Sequence, residues 1–236
     1  HSGEAVNLQV TGSQKEGGGL SGVPTAGVSA VVLNVTVTDP TASSSYLTLY
    51  PTDASSRPTA SNLNFVGGQT VPNRVMVKLS GAGQVTIFNA AGNVHVVVDV
   101  AGWFTDGNIN TTGAQFTGLS PARILDTRTG AGGIVGPVCG NQTIIVPVAG
   151  QGGVPALPTT QGAVMNVTAT DTTAGSFLTV YPSDALRPTA SDLNWVAGLT
   201  VPNLVVIKVS AADGKIAIYN AQGCVDVVAD VVGWYG

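Results

Sequence analysis

Arg57-Pro-Thr-Ala-Ser-Asn-Leu-Asn-Phe-Val66, followed by Thr70-Val-Pro-Asn73, returns as Arg187-Pro-Thr-Ala-Ser-Asp-Leu-Asn-Trp-Val196, followed by Thr200-Val-Pro-Asn203. Working outward, Ala30-Val-Val-Leu-Asn-Val-Thr-Val-Thr-Asp39 matches Gly162-Ala-Val-Met-Asn-Val-Thr-Ala-Thr-Asp171, and Tyr46-Leu-Thr-Leu-Tyr-Pro51 matches Phe177-Leu-Thr-Val-Tyr-Pro182. Further on, Ile87-Phe-Asn-Ala90 and Asp99-Val-Ala-Gly-Trp-Phe104 match Ile218-Tyr-Asn-Ala221 and Asp230-Val-Val-Gly-Trp-Tyr235. The order is the same and the offset stays near 130 residues, so the chain is a duplication and each copy is a structural unit.

Within a copy the apolar residues recur at every second position. Val31, Leu33, Val35 and Val37 share one face and Asn34, Thr36 and Thr38 the other; Leu47 and Leu49 oppose Tyr46, Thr48 and Tyr50; Val75, Val77 and Leu79 oppose Met76 and Lys78. Val94, Val96, Val98 and Val100 oppose His95 and Asp99. Short alternating runs separated by Pro, Gly, Asn and Asp predict an all-β protein of two tandem antiparallel β-sandwich modules, jelly-roll or immunoglobulin-like, with seven to eight strands each. No stretch carries a helical stripe. The polar, Gly-rich Thr105-Asp-Gly-Asn-Ile-Asn-Thr-Thr-Gly-Ala114 reads as a connection, placing the modules at 1–110 and 111–236.

Composition narrows the function. Of 236 residues 44% are hydrophobic, ample for real cores, but only 9% are charged, far below the roughly 25% of ordinary soluble domains. Short hydroxyl and amide side chains must solvate the surface, as in exported β-proteins. Nine scattered Lys and Arg and a net charge of −4 offer no footprint for nucleic acid. No apolar run approaches the about 18 residues of a helical membrane span. No signal peptide opens the chain, which reads as a mature form or an excised fragment. Cys139 and Cys224 lack the close spacing of a zinc or redox motif and are expected to form a disulfide.

The copies differ at their starts. The second opens with Phe116-Thr-Gly-Leu-Ser-Pro-Ala-Arg-Ile-Leu-Asp-Thr-Arg128; the first begins near Glu4-Ala-Val-Asn-Leu8, without a counterpart strand. A trimmed N-terminus is the favoured reading, and strand complementation at an exposed sheet edge the alternative. With Pro121-Ala-Arg-Ile-Leu-Asp-Thr-Arg128 as its start and Asp-Val-Ala-Gly-Trp-Phe as its close, the chain resembles the tandem β-repeat modules of secreted actinobacterial cell-envelope proteins. The resemblance spans nearly the whole chain. It implies an extracellular, cell-wall location beside hydrolase domains, and it implies no catalytic residues.

The candidate chemistry is sparse. Two histidines, His1 and His95, and two glutamates, Glu4 and Glu16, leave little from which to build a catalytic pair, so no enzyme is expected. Asp39 with Asp171 and Asp53 with Asp184 sit where turns need them; an oxygen-only calcium site in these loops is the alternative, and no other cofactor or metal is indicated. Arg57 and Arg187 are expected as structural clamps, buried against a carboxylate or loop carbonyls. Asp99 and Asp230 are expected to pair with a repeated arginine. Arg123, Asp126 and Arg128 alternate imperfectly around Ile124 and Leu125 and are expected to latch the opening strand to its module. Sugars are bound by aromatic faces and neutral hydrogen-bonding groups, and both copies supply them. The expected glycan-binding set is Tyr50, Asn62, Asn64 and Asn73 in the first copy, with Tyr181, Asp192, Asn194, Trp195 and Asn203 in the second. The expectation is therefore a secreted, non-catalytic envelope module that binds a cell-wall or extracellular glycan. The alternative is an assembly protein that self-associates through sheet edges into a filament or surface layer.

Overall fold

The computed structural model describes residues 1–14, 21–59, 61–107 and 113–236. The chain forms two compact units, His1–Gly113 and Ala114–Gly236. The boundary expected near residue 110 lies outside the described residues. Among the described residues every regular element is a β-strand, and all strand pairs are antiparallel.

The first unit contains β1 (Ala5–Gln9), β2 (Val28–Thr38), β3 (Ser45–Pro51), β4 (Leu63–Phe65), β5 (Val71–Lys78), β6 (Gln84–Asn89) and β7 (His95–Thr105). The second contains β8 (Phe116–Asp126), β9 (Val138–Cys139), β10 (Thr143–Pro147), β11 (Gly162–Thr170), β12 (Ser176–Pro182), β13 (Leu193–Trp195), β14 (Val201–Lys208), β15 (Lys215–Asn220) and β16 (Cys224–Tyr235). One sheet of the second unit runs β10-β15-β12-β13 and the other β14-β11-β16-β8, with the short β9 also paired to β16. Setting β9 aside, its eight strands in chain order form sheets 2-7-4-5 and 6-3-8-1. This is the double-Greek-key order of a jelly roll, which excludes the immunoglobulin alternative. The first unit repeats it as β1-β6-β3-β4 and β5-β2-β7, with no strand corresponding to β8 among the described residues.

Each core lies between the two sheets of its unit. Val31, Leu33, Val35 and Val37 of β2 meet Leu47 and Leu49 of β3 and Val75 and Val77 of β5. In the second unit Ala163, Met165, Val167 and Ala169 of β11 meet Leu178, Val180, Ile216 and Ile218. β2 is flanked by two strands and is also buried on its polar face, where Asn34 and Thr36 stand.

Simple alternation fails at one repeated place. Pairing of β7 with β2 jumps from Leu33↔Val100 to Val32↔Gly102, and pairing of β16 with β11 jumps from Met165↔Val231 to Val164↔Gly233. Ala101 and Val232 are therefore the extra residues of matching β-bulges. A bulge shifts which side chains face inward. Trp103 and Trp234, which strict alternation from Val100 and Val231 would turn outward, pair with Val31 and Ala163 and pack on the cores.

Asp39 and Asp171 end β2 and β11 with φ of 50° and 53°, the left-handed conformation that a short polar side chain tolerates in a turn. Cys139 and Cys224 face each other on β9 and β16 and are joined by a disulfide.

Candidate functional site

The opening strand of the second unit is held by an ionic clasp. Arg123 donates from Nε to Asp230 Oδ1 at 2.9 Å and from Nη2 to Asp230 Oδ2 at 3.1 Å, joining β8 to β16. Its Nη1 reaches Asp126 Oδ2 at 3.1 Å. Arg128 holds the same carboxylate through Nε (3.0 Å to Oδ1) and Nη2 (2.9 Å to Oδ2), and its backbone N–H adds a bond to Oδ1 at 3.2 Å. Asp126 is almost fully buried beneath two half-exposed guanidinium groups. The Arg128 hydrogen bonds, with Arg123 close by, hold its carboxyl well below the usual carboxylate range, at about 2. Both arginines are pushed above their ordinary value, Arg123 chiefly by Asp230 and Arg128 by Asp126. Asp126 is therefore a permanently ionised hub, unsuited to exchanging protons near neutrality.

The imperfect alternation of this stretch has a structural cause. Leu125 pairs with Ala229 and Arg123 with Asp230, leaving Ile124 as the extra residue of a bulge. The bulge lets Ile124 and Leu125 both enter the core while Arg123 and Asp126 join the clasp. Thr127 finishes the lock: its hydroxyl donates to Asp226 Oδ1 and accepts from the Val227 N–H at 3.0 Å. Asp230 thus pairs with Arg123, and not with the repeated Arg187.

β7, the counterpart of β16, has only β2 as a strand neighbour among the described residues. The effect on its side chains is large. Val97 is 49% exposed and Val100 37%, whereas their counterparts Val228 and Val231 are 4% and 0% exposed. Val231 is closed over by Ile124 and Ala122 of β8 and by Gly152, whose Cα has no room for a side chain between them. Asp99 stands on β7 across from Asn34, as Asp230 stands across from Asn166.

The outer face of each four-stranded sheet carries a repeated aromatic cluster. Tyr46 and Phe88 lie 6.5 Å apart between ring centres, and Phe177 and Tyr219 lie 6.3 Å apart. Arg57 stacks 3.8 Å above the Phe88 ring and Arg187 3.7 Å above the Tyr219 ring. The expected buried clamp to a carboxylate or carbonyl is corrected here: both arginines are exposed, and each covers an aromatic ring. Phe88 and Tyr219 were not among the expected site residues. Their role depends on the β3–β6 and β12–β15 registers, which place Phe88 beside Thr48 and Tyr219 beside Thr179.

The expected sugar-binding set divides. Tyr50 and Tyr181 are half-buried on the outer face, with Asn64 exposed and Asn194 half-buried next to Tyr46 and Phe177. The other members are turned to internal work. Asn62 and Asp192 accept the Leu49 and Val180 N–H groups at 2.7 and 2.8 Å. Asn73 and Asn203 donate to the carbonyls of Asn62 and Asp192. Trp195 is 5% exposed in the core, with its indole N–H on the Ala174 carbonyl at 3.0 Å. These five fasten the Arg-Pro-Thr-Ala-Ser loop and the short strand after it to the sandwich.

A second repeated feature was missed. Asn89 Nδ2 donates to the carbonyls of His1 and Gly92 at 3.2 and 2.8 Å, and Asn220 Nδ2 to those of Val138 and Gly223 at 2.8 and 3.0 Å. Ser45 and Ser176 donate to their side-chain oxygens. The repeated Ile-Phe-Asn-Ala and Ile-Tyr-Asn-Ala motifs contained the signal, but only the fold brings these distant carbonyls to the asparagine.

Among the described residues no three His, Cys, Asp or Glu side chains converge as a metal site. Asp53, considered as part of a calcium loop, accepts the Gly81 N–H at 2.8 Å. Among the described residues no helix is long and apolar enough to cross a membrane.

Fold and clasp together define an all-β protein with two jelly-roll units, the second carrying an opening edge strand for which the first has no counterpart among the described residues. No protein-family model and no curated protein sequence matches the chain. Solved structures similar to it include that of the infectious bursal disease virus Gx strain, at 12% identity and TM-score 0.21, and the VP2 subviral particle of infectious bursal disease virus, at 10% identity and TM-score 0.18. In each case 97% of this chain aligns with 70% of the viral one.

Proposed function

We propose that this chain is a non-catalytic extracellular scaffold protein that assembles by adding strands to exposed sheet edges. The observation that carries the reading is the contrast between β7 and β16: equivalent strands, one bordered by β8 and buried, the other with only β2 beside it among the described residues and bearing exposed Val97 and Val100. An unpaired edge with apolar side chains is a template for another chain unless it is blunted. The disulfide suits an oxidising compartment. Mass photometry and negative-stain electron microscopy test the reading. Higher-order species are expected, and they should fall apart in a Val97→Lys, Val100→Lys chain. A wild-type chain that stays monomeric up to high micromolar concentration overturns it.

Glycan binding is the second reading, favoured by the recurrence of half-buried Tyr50 with Asn64 and Tyr181 with Asn194. Two equivalent sites on one chain would give avidity for a polymer. Sedimentation with isolated cell walls, lost in a folded Tyr50→Ala, Tyr181→Ala chain, supports it; no retention by walls or by a glycan array removes it.

A further inference from the structure

We propose that Arg57 and Arg187 are equivalent receptors for the oxyanions of an acidic glycan, each reading a carboxylate or phosphodiester group carried on a sugar or polyol chain. The proposal deepens the glycan reading and rests on it. Arg123 and Arg128 are held in the clasp on Asp126 and Asp230. Arg57 and Arg187 are exposed, each stacks on a ring, Phe88 at 3.8 Å and Tyr219 at 3.7 Å, and neither enters an ion pair among the described residues. Stacking and oxyanion binding do not compete. The ring covers one face of the guanidinium, whereas its N–H donors lie in the guanidinium plane and form the fork that matches a carboxylate or phosphate.

The guanidinium groups are set in place before a ligand arrives. Each arginine precedes a proline, Pro58 or Pro188, which restricts its backbone to extended conformations. The loop that follows is pinned to the sheet by the Asn62 and Asp192 N–H groups on the Leu47 and Leu178 carbonyls, both at 2.8 Å. In the second unit the Thr179 hydroxyl adds a bond to the Ala190 carbonyl at 2.8 Å. A donor fixed in this way loses less freedom on binding. The copies exchange their rings, Tyr46 and Phe88 in one, Phe177 and Tyr219 in the other, yet both keep a guanidinium over the second ring. Covering a ring needs only an aliphatic stem, which lysine also has.

The neighbouring groups suit hydroxyls. Asn64 pairs with Tyr46 across β4 and β3, and Tyr46 leads to Phe88 on β6; Asn194, Phe177 and Tyr219 form the same row across β13, β12 and β15. The Asn64 and Asn194 amides donate to the Ser61 and Ser191 hydroxyls at 3.2 and 2.9 Å, leaving the Oδ1 of each as an acceptor for a sugar hydroxyl. With strands about 4.8 Å apart, the row from amide to guanidinium spans about 10 Å, which fits an oligosaccharide better than a single small anion. A net charge of −4 gives the chain no general attraction for polyanions, so the binding of one has to be local.

The test is biolayer interferometry of the whole chain against immobilised polymers: polygalacturonate, with carboxylates on sugars; poly(glycerol phosphate), with phosphodiesters on a polyol; neutral dextran; and polyglutamate, with carboxylates and no hydroxyls. Binding to polygalacturonate or poly(glycerol phosphate) is expected, at least about tenfold tighter than to dextran or polyglutamate, and the tighter of the two names the oxyanion. Arg57→Lys with Arg187→Lys keeps charge and stem but removes the fork. It should weaken that binding by about tenfold and leave the thermal unfolding midpoint in place, whereas a purely structural role would move the midpoint and not the affinity. No binding to either acidic glycan, equal binding of dextran or polyglutamate, or unchanged affinity in the lysine variant each overturns the proposal. The comparison between polymers uses the unsubstituted chain, so it decides even if the variant fails to fold. Retention by cell walls that is lost in Tyr50→Ala, Tyr181→Ala but indifferent to the lysine exchange removes this assignment and leaves the glycan reading; no binding to walls or to any polymer removes both.

Discussion

Arg123 and Asp230 face each other across neighbouring strands and share two parallel hydrogen bonds, 2.9 and 3.1 Å long. The pair is nearer the surface than Asp126, so solvent screens it and its worth is modest. Arg123→Ala should lower the stability of the second unit by about 1 kcal/mol, while Asp126→Ala, which leaves two guanidinium groups without their shared carboxylate, should cost about 2–3 kcal/mol. Urea unfolding in a Trp103→Phe background reports this unit alone, because the remaining tryptophans, Trp195 and Trp234, both lie in it.

Acid should loosen the same clasp. Asp126 is held at about 2, below the roughly 4 of a free carboxylate, so its contribution is complete above about pH 4 and is lost as pH falls towards 2. Asp213, also held at about 2, chiefly by the Ser210 hydroxyl, acts in the same window. Acid titration of the Trp103→Phe chain should therefore show a steep fall below pH 4, and Asp126→Asn should flatten part of it while leaving the part due to Asp213.

The disulfide closes a sequence separation of 85 residues, for which restriction of the unfolded chain is worth about 4.5 kcal/mol. Cys139→Ser with Cys224→Ser should destabilise the second unit by that order. Hydrogen exchange should register the loss in β10 to β16 and leave β1 to β7 unchanged.

Asn220 is fully buried and ties two chain segments and Ser176 together. Asn220→Ala strands two carbonyls and a hydroxyl and should cost about 2–3 kcal/mol. Asn89→Ala should act in the same direction on the first unit, with the midpoint of each unit followed by hydrogen exchange.

Amides of β7 should exchange faster than their counterparts in β16. The comparison of Val97 with Val228 and of Val100 with Val231 is the cleanest, because the strands match and only the neighbour differs. Equal protection in the free chain would mean that the β7 edge is already covered.

Much of the fold was legible because a sandwich strand exposes its two faces alternately: Val31 to Val37 and Leu47 with Leu49 needed no partner to be read as core. Alternation failed at the bulges. Nothing local marks Ala101, Val232 or Ile124 as the extra residue; the mismatch exists only between two paired strands. The site was less legible than the fold. Asn62, Asn73, Asp192 and Asn203 have the side chains a sugar site needs, but the same amides and carboxylate also close loops, and only the backbone groups placed beside them decide which.

By itself the sequence determined that this chain is a duplicated all-β protein, and that the second copy carries the opening stretch Pro121 to Arg128. Repetition and alternation are local properties of a chain, so they survive without coordinates. Only the tertiary structure decided that the strands follow jelly-roll order, that Arg123, Asp126, Arg128 and Asp230 form one clasp, and that β16 lies between β11 and β8 whereas its counterpart β7 has only β2 beside it among the described residues. Those outcomes depend on contacts between residues about a hundred positions apart, where the energies that select a partner arise from burial and hydrogen bonding in three dimensions.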